Sequence, residues 1–169
     1  MHVVESTAHL SKQDAYRELR SQLAGLLAGE SDGVANCANM SALLYEALPD
    51  LNWVGFYFLR QQELVLGPFQ GRVACVRIEL GRGVCGTAAA RRETVIVPDV
   101  HAFPGHIACD SASRSEIVLP LISRGRLLGV LDLDSPRPDR FDQEDGGGLA
   151  ALVEVLLENS NLDRLLGVL

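Results

Sequence analysis

The sequence predicts an α+β fold, an antiparallel sheet with helices packed on it, in a single domain. Three observations carry this. Apolar residues recur at helical spacing at both ends of the chain. Between about residues 52 and 134 the pattern changes to short apolar and aromatic runs separated by turn residues, and most of these are close enough to join as hairpins. No linker, repeat or low-complexity segment divides the 169 residues, a length that suits one domain and buries roughly 70% of its unfolded surface.

The elements follow in order. Ser11-Lys12-Gln13-Asp14 has a capping hydroxyl with an acid three residues on; Ala15, Leu19, Leu23 and Leu26/Leu27 then mark one helical face up to Gly29. Residues 1–10 are expected to form a loose N-terminal segment. A second helix starts at Ser31 or Asp32, with Val34, Cys37, Ser41, Leu44 and Leu48 on one face, and ends at Pro49-Asp50. Asn52 to Leu59 is aromatic and reads as a strand, Glu63 to Leu66 as its hairpin partner, and Gly67 to Arg72 as a loop. Cys75 to Leu80 forms another strand, closed by the turn Gly81-Arg82-Gly83. Val84 to Arg92 is a short Ala-rich helix and Thr94 to Val97 a short strand. Glu116 to Ile122 and Leu127 to Asp134 make a strong hairpin around Arg124-Gly125-Arg126. Phe141-Asp142 opens the last helix, which runs to about Asn159. Gly146-Gly147-Gly148 sits in its first turns, where three glycines cost roughly 2–3 kcal/mol relative to alanines, so a soft start is expected.

Composition excludes several classes. Fifteen basic and 22 acidic residues give a net charge of −7. No Lys/Arg run reaches four, so neither nucleic acid nor an anionic membrane is expected as a partner. Nearly uncharged stretches fall far short of a membrane span. Met1-His2-Val3-Val4-Glu5 has no basic segment followed by an apolar one, so the expected compartment is the cytoplasm, where disulfides are transient.

Pro98 to Ser113 stands apart. Its 16 residues hold two prolines, a glycine, two histidines and a cysteine, and a loop this long in a compact domain usually has a function. Cysteines stand at 37, 75, 85 and 109. Cys37 falls on an apolar helix face and reads as core. Cys75, Cys85 and Cys109 lie in or beside loops without a C-x-x-C pair. They are compatible with buried thiols, with a Cys₃His zinc site using His101 or His106, or with a redox group of one attacking thiol and one or two resolving thiols. Cys109 is the best nucleophile candidate, with His106 and Arg114 near enough in sequence to favour its thiolate.

Glu116, Asp132 and Asp134 form a second constellation, each inside an apolar strand. Asp132 and Asp134 are two apart and share a face. Glu116 joins that face if the hairpin loop has an odd number of residues, and takes the other face if the loop has two. Carboxylates on a half-buried sheet need partners, and no lysine or arginine lies within these strands. A cationic ligand, or a proton held by one acid, meets that need. Trp53 and Tyr57, four apart on one strand, supply an aromatic wall on one face.

These residues occur in segments that together resemble a known family. Trp53-Val-Gly-Phe-Tyr57, Leu66-Gly-Pro-Phe-Gln-Gly71 with Cys75, Gly81-x-Gly-Val-Cys-Gly86, Phe103-x-Gly-His-Ile-Ala-Cys-Asp110, Ser115-Glu-Ile-Val118 and Leu131-Asp-Leu-Asp-Ser135 are similar to segments of the GAF-domain free methionine-(R)-sulfoxide reductases, over about residues 11–160. The resemblance implies a GAF-like fold, Cys109 as the attacking cysteine, Cys75 and Cys85 as the resolving pair, and a pocket lined by Trp53, Tyr57, Glu116, Asp132 and Asp134. It implies the thiol-dependent reduction of free L-methionine (R)-sulfoxide through a cysteine sulfenic acid and an intramolecular disulfide, restored by a thioredoxin-like reductant, with no cofactor and no metal. Glu116 is the first choice as proton donor, its pKa raised by its apolar flanks. Asp132 and Asp134 would hold the α-ammonium, and backbone N–H groups of the 98–113 loop the α-carboxylate. The rival reading is a non-catalytic small-molecule-sensing GAF module, disfavoured because the chain ends at Leu169 without an output domain and offers acids rather than arginines to a phosphate. GAF domains often pair through terminal helices, so the 11–29 and 142–159 helices leave a homodimer and a monomer both open.

Overall fold

Helical periodicity and turn chemistry set most of the boundaries. A computed structural model describes residue 4 and residues 6–7, 9–105 and 111–162. Helix α1 spans Lys12–Leu27, with Ser11 as its N-cap accepting from the Asp14 amide, and α2 spans Gly33–Ala47, capped by Asp32. Six strands follow: β1 Trp53–Arg60, β2 Glu63–Gly71, β3 Arg77–Glu79, β4 Val95–Val97, β5 Ser115–Ser123 and β6 Arg126–Ser135. Helix α3 (Gly83–Arg91) lies between β3 and β4, a 3₁₀ turn covers Val100–Ala102, and α4 is Gln143–Asn159. The sheet order is β3-β2-β1-β6-β5-β4, every neighbouring pair antiparallel. This is the expected α+β class.

Strand alternation sorts side chains between two layers. Val54, Phe56, Phe58, Ile117, Leu119, Leu121, Leu131 and Leu133 face α1, α2 and α4 and form the larger core. Trp53, Tyr57, Val118 and Val130 face the opposite way, toward α3. The site belongs to this second face. Cys37 is fully buried in the larger core, as read from its helix face.

Two boundaries differ from the sequence reading. Residues 67–71 continue β2 instead of forming a loop: Phe69, Gln70 and Gly71 pair with Gly55, Val54 and Trp53. Gly67-Pro68 looked like a turn because it fills the irregularity opposite Phe56, where a strand tolerates proline. The strand expected over 75–80 shrinks to Arg77–Glu79, leaving Cys75 in the preceding loop. Of the N-terminal segment, Thr7 is buried and its hydroxyl donates to Ala47 O at 3.0 Å.

The start of α4 shows what the glycines do. Asp142 and Asp145 form a reciprocal capping box, and Asp145 also accepts from Lys12, Tyr16 and Arg140. A Cβ on Gly148 would lie 2.2 Å from Cγ of Tyr16. The glycine lets α1 close on α4, so its conformational cost is offset by packing. Among the described residues no helix is long and apolar enough to cross a membrane.

Candidate active site

Register assembles the site. Glu116 pairs with Asp134, and Asp134 with Trp53. One step along the same face, Val118 pairs with Asp132, and Asp132 with Gly55. Directly opposed residues share a face, so three carboxylates and the indole stand together. The hairpin loop is Arg124-Gly125, both at positive φ, the geometry favoured in two-residue hairpins. Two residues alone would send Glu116 to the other face. A register shift restores it: Ile122 pairs with Leu127 but Leu121 with Gly129, so Leu128 is an extra residue in β6. The bulge supplies the odd count.

Gly55 makes room for the aromatic wall. A Cβ there would lie 2.5 Å from the Trp53 ring and 2.4 Å from Phe69 Cβ. The indole therefore lies over the strand, stacked on Phe69 at 5.3 Å between centroids and on Tyr57 at 5.9 Å. Trp53 Nε1–H donates to Arg72 O at 3.1 Å and the Tyr57 hydroxyl to Cys75 O at 3.1 Å. These two bonds tie the 72–75 loop to the wall, and no sequence pattern announced them. The available signal, an isolated glycine inside an aromatic strand, marks a close approach and went unused in the sequence reading.

The resulting narrow cleft, about 40 Å³, is lined by Trp53, Tyr57, Cys85, Glu116, Asp132 and Asp134, with Val73, Ala74, Ile78, Ser113 and residues 82–84 on its remaining walls. Five of the predicted substrate-pocket residues thus meet in one place, with Cys85 from the first turn of α3. Cys109 and His106 lie outside the described residues. Arg114 is exposed, and its backbone N–H and C=O bond Ser135 O and the Val100 N–H. His101 is exposed beside Asp99.

The electrostatics are those of crowded carboxylates. Burial, then the neighbouring Asp132 and Asp134, push the Glu116 carboxyl well above the ordinary carboxylate range. Burial also raises Asp132, opposed by hydrogen bonding to Cys85 and Glu116. Asp132 and Glu116 are 6% exposed, and Asp132 Oδ1 has no hydrogen-bond partner. Cys85 Sγ lies 3.9 Å from Glu116 Oε1. Burial and then the Asp132 and Glu116 charges raise its thiol pKa, so Cys85 stays protonated and is a poor nucleophile at neutral pH. One ligand atom each from Cys85, Glu116 and Asp132 falls within 4.8 Å of the others, the arrangement among the described residues able to grip a cation. It differs from the Cys₃His set considered from sequence. Cys75 is disulfide-bonded, while Cys37 and Cys85 carry free thiols.

Comparison with known proteins gives the family and the fold. The GAF domain family matches residues 19–159. The chain is 55% identical over 147 residues to the free methionine-R-sulfoxide reductase of Escherichia coli (strain K12), covering 87% of this chain and 89% of that protein. It is 44% identical over 161 residues to the Saccharomyces cerevisiae free methionine-R-sulfoxide reductase, covering 90% and 89%. The crystal structure of the Neisseria meningitidis free methionine-R-sulfoxide reductase in complex with its substrate superposes with a TM-score of 0.91 at 48% identity, covering 98% of this chain and 99% of that one.

Proposed function

The chain belongs to the GAF-domain free methionine-R-sulfoxide reductases, and from that premise we propose that it reduces free L-methionine (R)-sulfoxide to L-methionine, with Cys109 as nucleophile. The observation that carries the reading is the carboxylate row beside Trp53, with a buried Asp132 oxygen left without a partner. A substrate bearing a fixed positive charge and a small apolar group suits such a cleft. The α-ammonium of a free amino acid would give the Asp132 oxygen its partner beside Asp134, and the S-methyl group would pack on the indole. A peptide-bound residue offers an amide instead of that charge.

The chemistry needs a thiolate and an acid. The Cys109 thiolate attacks the sulfoxide sulfur while Glu116, kept protonated by its surroundings, gives its proton to the oxygen. The oxygen passes to Cys109 as sulfenic acid and methionine leaves with its sulfur reduced. Cys75 then condenses with the sulfenic acid, releasing water and forming a disulfide. The disulfide-bonded state of Cys75 supports this order over resolution by Cys85. A thioredoxin-type dithiol restores both thiols by exchange.

The test is a reductase assay with each epimer of free methionine sulfoxide, run beside free-thiol counting without reductant. Consumption of the R epimer with loss of two thiols per chain is expected. Substrate binding without loss of thiols would overturn the reading in favour of a sensing module.

A further inference from the structure

We propose that Cys85, Glu116 and Asp132 form a binding site for a thiophilic divalent cation, of which Zn²⁺ and Cd²⁺ are the representatives, and that this ion shuts the cleft to ammonium-bearing ligands. The three side chains come from α3, β5 and β6, which are fixed by the sheet and by α3 packing, so the donor set is preformed. Their ligand atoms lie within 4.8 Å of one another, with the sulfur 3.9 Å from Glu116 Oε1. Around a tetrahedral Zn²⁺, sulfur and oxygen donors stand roughly 3.5 Å apart, so a small contraction closes the site. An independent observation points the same way: Asp132, on the lining of the cleft, is 6% exposed and its Oδ1 has no hydrogen-bond partner, leaving a buried lone pair at the site.

The donor chemistry selects the ion. Binding would release the protons that Cys85 and Glu116 hold in the empty site; a thiolate ligand favours the softer metals, whereas Mg²⁺ and Ca²⁺ take oxygen ligands. Three protein ligands leave a fourth position for water. The same Asp132 is asked to meet the α-ammonium in the function proposed above, and the exclusion of substrate rests on that reading; the metal site itself rests on geometry alone.

The test uses the full chain with Cys75 in its disulfide, the state in which, among the described residues, Cys85 and Cys37 carry free thiols. Cd²⁺ is titrated in and the ultraviolet sulfur-to-cadmium charge-transfer band followed. One band saturating at one ion per chain is expected, lost in Cys85→Ser and kept in Cys37→Ser. Asp132→Asn should weaken binding by more than the roughly 10–100-fold that loss of an outer-shell partner costs. Saturating free methionine should displace the ion. A band that survives Cys85→Ser, or none in the wild type at large excess of Cd²⁺, overturns the site; an ion unmoved by methionine overturns the exclusion. Should Cys85→Ser fail to fold, cadmium NMR of the wild type decides: one sulfur with oxygen donors supports the site, any other donor set overturns it. Sulfoxide reduction in chelator-treated buffer separates the two readings. Full activity there with no band in the cadmium titration removes the site and leaves the reductase; a band in the titration without reduction does the reverse.

Discussion

Glu116 of β5 stands directly opposite Asp134 of β6, with Trp53 on the far side of the same rung. Two carboxylates facing each other on a sheet repel; on Glu116 burial weighs most, then Asp132 one rung away, then Asp134 opposite. A proton on one acid and a cation beside the others relieve the repulsion. General-acid chemistry on an ammonium-bearing substrate uses both remedies.

Glu116→Gln should therefore keep the fold, since it replaces an acid already held neutral, and lose the proton transfer. We expect kcat to fall by about 10²- to 10⁴-fold with unchanged thermal unfolding. Steady-state kinetics beside a melting curve checks this; near-normal kcat would remove Glu116 from the acid role.

The cysteines should separate in single-turnover experiments. Cys109→Ser should form no methionine, because a hydroxyl is a far weaker nucleophile toward sulfur. Cys75→Ser should form one methionine per chain and then stall with a disulfide reductant. Peptide mapping of substrate-oxidised wild type should find Cys75 joined to Cys109; a bond from Cys85 instead would reassign the resolver.

The amine is testable with N-acetyl-methionine sulfoxide. Losing a charge-assisted hydrogen bond in a closed cleft costs roughly 2–5 kcal/mol, or about 30- to several-thousand-fold in kcat/KM. Asp132→Asn should weaken the free amino acid strongly and narrow its lead over the acetylated form. Equal kcat/KM for the two substrates in wild type would exclude an ammonium site at these acids.

Gly148→Ala should destabilise without touching the site. The added methyl would overlap the Tyr16 ring, and overpacking of this kind costs roughly 1–3 kcal/mol, lowering Tm by several degrees. Calorimetry measures the shift, and kcat per folded molecule should stay the same.

Acid should loosen the junction of α1 and α4. The Lys12 ammonium, hydrogen-bonded to Asp142 at 2.6 Å, is the chief cause that lowers this carboxyl from 3.8 to about 2. A depressed folded-state pKa stabilises the protein above the unfolded value, and the contribution is lost as pH falls through the folded one. Asp142 is largely exposed, so its share is small, below about 1 kcal/mol. Urea unfolding of wild type and Lys12→Met should differ most above about pH 4 and converge toward pH 2. A difference that does not vary with pH would remove Asp142 from the account.

The sequence disclosed whatever depends on period and local chemistry. Leu19, Leu23 and Leu27 marked the buried face of α1, and Asp132 and Asp134 had to share a face because they are two apart. It withheld what depends on pairing. The odd-or-even question at the β5–β6 turn was open until the Leu128 bulge answered it. Gly67-Pro68 read as a turn because its strand partner, Phe56, is distant in sequence. The burial of Asp145 under Lys12, Tyr16 and Arg140 joins residues more than 120 positions apart in two of its three contacts, beyond the reach of any local rule.

The extra residue in β6 has a consequence for how this protein can change. Substitution at Leu128 alters only what fills a hydrophobic gap, but its deletion would invert β6 relative to β5 on one side of the bulge. Acids would then point at the helices and leucines at the cleft. Gly129, where a Cβ would sit 2.1 Å from Tyr57 O, fixes the place of the kink against β1. The chemistry of the cleft is thus written partly in chain length, and scanning side chains one at a time would leave that part unread.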